Sequence, residues 1–133
     1  MTATRVDIKH RAYDFAKQTV LFVGKQEYKH IYHSLIDQLL RSSASVGANL
    51  VEGYAGSSKN DFIKFYTIAL KSANESKFWL CLLRDTIWKE HEGTLNRLLN
   101  EANEISKILA SIIIKTKENS KKKMLSLFLI FLF

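Results

Sequence analysis

Residues 38–52 read QLLRSSASVGANLVE, and their spacing decides the fold. On a helix advancing about 100° per residue, Gln38, Arg41, Ser45, Asn49 and Glu52 fall within an arc of roughly 80° and form one polar stripe. Leu35, Leu39, Val46 and Leu50 lie beside it, while Leu40, Ala44, Gly47, Ala48 and Val51 fill the remaining arc. A helix that is apolar or small nearly all round is a buried helix. Gly47 costs about 1 kcal/mol relative to Ala in a helix interior. The expected compensation is close approach of neighbouring helices at that point. Arg41 and Glu52 need partners from elsewhere, because charged side chains are almost never fully buried unless paired.

The composition agrees with a helical domain. A chain of 133 residues without proline, and with five glycines, lacks the ordinary punctuation of turns and all-β folds. It is long enough to bury a core without disulfides or metals. The single cysteine, Cys81, sits in the apolar run of residues 79–83 and reads as a buried structural thiol. No charged-apolar-small leader opens the sequence, so the expected location is cytoplasmic. Residues 115–133 hold five of the twenty Lys and Arg and one of the thirteen acids, leaving the body with +3 of the net charge of +7. The body alone is a mildly basic domain, for which solvated surface charge is a sufficient account.

Working outward from the central stretch, residues 5–24 alternate apolar and charged at helical spacing and end at Gly24, a suitable C-terminal residue. The central helix is expected from about Lys29 to Tyr54, closed by Gly53 and Gly56. Ser58 followed by Asp61 resembles a capping box and predicts the next helix start. That third helix has a core face of Phe62, Phe65, Tyr66, Ala69, Ser72, Ala73, Ser76, Trp79, Leu80 and Leu83, and is expected to reach about Lys89. Thr94 then offers an N-cap to a helix marked by Leu95, Leu98, Ala102, Ile105, Leu109 and Ile112. Four amphipathic helices on short connections predict an all-α fold, an up-down-up-down antiparallel four-helix bundle. Residues 1–120 form that domain, and residues 121–133 a basic-then-apolar tail. If the second hairpin centres near residues 57 and 58, Arg41 comes level with Asn74 and Glu75. An Arg41–Glu75 pair follows, whose rupture would cost more than about 2 kcal/mol if buried.

Residues 38–83, from QLLRSSASVGANLVEGY to ESKFWLCLL, closely resemble the four-helix bundle family named for proteins encoded within intervening sequences of 23S ribosomal RNA genes. Gln38, Arg41, Ser45, Asn49, Glu52, Gly53, Ser58, Phe62, Phe65, Ala69, Glu75 and the pair Trp79-Leu80 carry the likeness, and helices one and four extend it over about residues 5–118. The resemblance implies a ring-shaped homopentamer. A related group, accessory proteins of diversity-generating retroelements, implies basic barrels that contact nucleic acid and a reverse transcriptase. Ser72 stands where many relatives carry an acid, and the apolar run after Met124 is foreign to the family pattern.

The sites expected from these readings are structural and electrostatic rather than catalytic. Gln38, Arg41, Ser45, Asn49, Glu52 and Glu75 form a hydrogen-bonded network of the core or of a subunit interface. Arg5, Lys9, Arg11 and Lys17 on the first helix, with Lys59 and Lys64 on the third, are candidate phosphate contacts for RNA or other nucleic acid. His30, His33 and Asp37 share a helix face, but a carboxylate-bridged di-metal bundle needs two Glu-x-x-His motifs, and residues 27–30 supply one. No metal, cofactor or catalytic residue is expected, and the reading is a non-enzymatic protein. The alternative is a protein-binding scaffold or adaptor without nucleic-acid binding, one version of it held at a membrane through the tail. Lys121, Lys122 and Lys123 precede ten residues with Ser126 as the only polar one, a helix of about 15 Å and half the hydrocarbon thickness of a bilayer. That run could lie in a membrane interface, pack on the bundle or stand as an extra segment; a membrane partner is not the expectation.

Overall fold

The structure, a computed structural model, describes residues 5–132, with side chains from residue 8. Four helices follow in order: α1 Arg5–Gly24, α2 His33–Ala55, α3 Lys59–Asp85 and α4 Glu92–Leu132. Single 3-10 turns, His30–Tyr32 and Lys89–His91, lead into α2 and α4. The second helix therefore starts four residues later than the spacing suggests, and the third stops short of Trp88. The start of α3 is as expected, with Ser58 Oγ accepting the Asp61 backbone N–H at 3.1 Å.

Each helix packs on its chain neighbours, and α1 closes the bundle against α4, while the diagonal pairs stay apart. This is the up-down-up-down arrangement. Facing pairs set the register: Ser42 with Ser76 and Ser45 with Ser72 between α2 and α3, then Asn74 with Ser106 and Arg84 with Asn96 between α3 and α4. The core is a continuous cluster centred on Phe15, Leu39, Tyr66, Leu80, Leu95 and Leu109. Some buried hydroxyls are satisfied within their own helix, as when Thr19 Oγ1 donates to the Phe15 carbonyl at 2.8 Å, and others across helices, as when Ser106 Oγ donates to Asn74 Oδ1 at 3.1 Å. Cys81 is half-buried rather than enclosed.

The central helix is not buried all round. Ala44, Ala48 and Val51 face solvent together with Gln38, Arg41 and Glu52. The reason is geometric, since α2 touches α1 and α3 but not α4, and two neighbours cannot cover a whole cylinder.

Candidate nucleic-acid interface

The polar stripe of α2 divides between two environments. Ser45 and Asn49 sit at the seam with α3, where Asn49 Nδ2 donates to Ser45 Oγ at 2.9 Å and Ser72 Oγ donates to the same oxygen at 2.9 Å. A second link runs beside it. Ser76 Oγ lies 2.9 Å from both Ser42 Oγ and the Ser72 carbonyl. Ser42 and Ser76 are buried, so this ladder of small hydroxyls lets α2 and α3 approach closely with their polar atoms satisfied. Ser42 was absent from the expected network. The available signal was its place opposite Ser76, both being small hydroxyl residues on facing helices.

Gln38, Arg41, Glu52 and Glu75 point the other way. Arg41 is 75% exposed in its side chain, and its Nε donates to Asp37 Oδ2 at 2.8 Å, one turn back on its own helix. Glu75 is exposed and accepts from Trp79 Nε1 at 3.3 Å. The expected Arg41–Glu75 pair is therefore absent. The facing serines lie about two to three residues further along α3 than the hairpin ruler places them, and Arg41 falls outside the seam. An exposed i,i+4 pair is worth about 0.3–0.5 kcal/mol. Arg41→Ala should accordingly shift the free energy of chemical unfolding by no more than about half a kcal/mol. A loss above about 2 kcal/mol would place the guanidinium in a buried pair after all.

The six candidate phosphate contacts also separate. Arg11 is occupied: its Nε and Nη2 donate to the two carboxylate oxygens of Glu101 at 2.8 and 2.9 Å, locking α1 to α4. That hydrogen bond raises the Arg11 pKa above its ordinary value. Lys17 is exposed but lies about 12 Å along α1 from Lys9. Arg5 opens α1, and its side chain is outside the described residues.

Lys9 on α1 and Lys59 and Lys64 on α3 lie toward the same end of the bundle, on helices that do not touch each other. Lys9 Nζ stands 3.6 Å from the centroid of the Tyr54 ring, at the C-terminal end of α2, and α3 begins nearby with Lys59. Extending the ladder of α3–α4 pairs puts Lys59 level with about residue 121 of α4 and Lys64 level with about residue 116. The same end therefore gathers Lys115, Lys117 and Lys121, all exposed, beside the carboxylates of Glu52, Asp61 and Glu118. These α4 lysines were missing from the expected contacts. Only the antiparallel register shows that they share an end with Lys59.

A groove of about 890 Å³ lies between α1 and α4, floored by Phe15, Phe22 and Leu98 and crossed by the Arg11–Glu101 pair. Its rim mixes both signs of charge. Among the described residues no group of three His, Cys, Asp or Glu is placed to hold a metal ion. His30 and His33 stack on each other at 5.9 Å.

The family model described as 23S rRNA-intervening sequence protein matches residues 4–111. Among solved structures, a protein of unknown function from the S23 ribosomal protein family of Bacteroides thetaiotaomicron shares 36% identity, with a TM-score of 0.70. The match covers 80% of this chain and 97% of that one. No curated protein matches the sequence.

Proposed function

Because this chain belongs to the 23S rRNA-intervening sequence protein family, we propose that it is a non-enzymatic homo-oligomer, a pentameric ring, holding structured RNA by its phosphate backbone. The observation that carries this reading is the basic end formed by Lys9, Lys59, Lys64, Lys115 and Lys117, none of which has an ion-pair partner among the described residues. Lysines without base-reading partners confer affinity for phosphate and little sequence preference. The solvent face of α2 supports self-association. Ala44, Ala48 and Val51 present small apolar surface where an isolated helix would carry charge, and small side chains let helices approach closely. Repeating the basic end around a ring would multiply a weak attraction.

Micromolar binding of structured RNA is expected near 50 mM salt, largely lost by about 300 mM. Lys59→Glu with Lys64→Glu should weaken binding at least about tenfold and flatten the salt dependence, while Arg11→Ala, already neutralised by Glu101, should leave that slope unchanged. Filter binding across a salt series measures both. Absence of RNA and DNA binding at low salt would leave a protein scaffold as the function. Sedimentation velocity at micromolar protein tests the ring, with Ala48→Arg expected to reduce the pentamer to single chains.

A further inference from the structure

The helix α4 outruns the bundle. With Lys59 level with about residue 121, no described helix remains for the last turns of α4 to pack on. The helix nevertheless continues to Leu132, and every residue from 121 to 132 is exposed. The exposed set includes Met124, Leu125, Phe128, Ile130 and Phe131, the last at 88%. Among the described residues the run stands clear of its own bundle. A contiguous apolar surface of this kind marks an interaction site.

The chemistry of the run selects its partner. A helix that pairs with another copy carries one apolar seam and a polar back. Residues 124–132 are apolar on every side except at Ser126. Association of such helices would leave outward faces wet, whereas an apolar medium covers them all. Immediately before the run stand Lys115, Lys117, Lys121, Lys122 and Lys123, with Glu118 the only acid after Glu104. Lys59 flanks them from α3. This is a cationic collar at the base of an apolar rod, complementary to anionic headgroups above acyl chains.

Dimensions agree with an interfacial seat. The rod is about 14 Å long, half the hydrocarbon thickness of about 30 Å. Among the described residues no helix is long and apolar enough to cross a membrane. Its width of about 10 Å matches the 5–10 Å to which interfacial helices sink. We propose that the end of α4 docks the protein on an anionic lipid surface, with residues 124–132 in the acyl boundary and Lys121, Lys122 and Lys123 among the phosphates. Lys59, Lys115 and Lys117 belong to both surfaces, whereas Lys121, Lys122, Lys123 and residues 124–132 belong to the lipid contact alone, so variants at those positions test it apart from RNA binding.

The test is co-flotation of the full chain with vesicles of phosphatidylcholine alone or with about one-third phosphatidylserine. The parent should float with the anionic vesicles. Replacing Lys121, Lys122 and Lys123 by Gln should weaken that partition about a hundredfold. Phe128→Glu with Leu129→Glu should abolish it, while circular dichroism still reports a folded bundle because these side chains touch no part of it. Equal flotation with neutral and anionic vesicles would overturn the charge assignment. Vesicle-free assembly that disappears in the Phe128→Glu, Leu129→Glu variant would show a second copy covering the rod. Loss of RNA binding but not of flotation in the lysine variant would make the collar a nucleic-acid arm. Each of these three results overturns the lipid proposal.

Discussion

Replacing Trp88 by Ala should lower the stability of the bundle by about 3–5 kcal/mol, the range for deleting a large aromatic from a core. Trp88 lies between α3 and α4, outside any helix, yet is 2% exposed. Its ring meets the edge of Phe22 on α1 at 5.2 Å and 89°, and Tyr28 from the first connection at 6.4 Å. Phe22 in turn meets His91 at 5.5 Å. Trp88 thus plugs the end of the bundle where both long connections cross. Its backbone N–H donates to the Leu83 carbonyl at 2.9 Å, which closes the last turn of α3 and fixes the plug. Truncation to Ala opens a cavity bounded by rigid helix ends that cannot collapse into it. The indole nitrogen has no acceptor among the described residues, so Trp88→Phe loses volume but no hydrogen bond, and should cost less than half as much. Guanidinium unfolding of the two variants measures the difference. A Trp88→Ala loss below about 1 kcal/mol would mean that this end of the bundle is open to water.

Gly53→Val should cost about 3 kcal/mol or more, while Gly47→Ala should stabilise the protein by up to about 1 kcal/mol. Both glycines lie inside α2, and the contrast comes from what surrounds them. A Cβ at Gly53 would stand 2.9 Å from Tyr66 Cδ1 and 3.0 Å from Phe65 Cβ. Phe65 Cβ is tied to the α3 backbone, and the buried Tyr66 ring stacks on Phe62 at 3.9 Å, so neither can move aside cheaply. A branched side chain would force α2 and α3 apart about 12 Å along α2 from Ser45 of the serine ladder. At Gly47 a Cβ would meet Ala12 at 3.7 Å, an ordinary contact, so Ala keeps its helix-propensity advantage. Thermal unfolding of each variant decides it. Equal effects at the two sites would mean that α2 and α3 are not in the close register seen at Ser42 and Ser76.

Much of this architecture is legible in the sequence. The four helices, the Ser58 cap and the core faces of α3 and α4 follow from periodicity and capping, because a helix is closed by hydrogen bonds between residues four apart and its buried face repeats at three and four. The same locality explains what remained hidden. Gly47 looked like the point of close approach and Gly53 like a terminator, but the helix runs on to Ala55 and Gly53 is the crowded one. Arg41 looked like a core residue in need of Glu75, and instead it pairs with Asp37 in solvent. Arg11 looked like a free cation until Glu101, ninety residues away, took it.

Likewise the basic end depends on α3 and α4 being in one register. No local pattern links Lys59 to Lys121. The sequence by itself determined which segments are helical, which side of most helices is apolar and where the apolar tail begins. The tertiary structure alone decided how far each helix slides and rotates against its neighbours, because that choice is made by side-chain packing between distant residues. A rotation of one residue, about 100°, moves a side chain from seam to solvent. That is why Ser45 and Asn49 of the stripe went to the seam with α3 while its charges went to the surface.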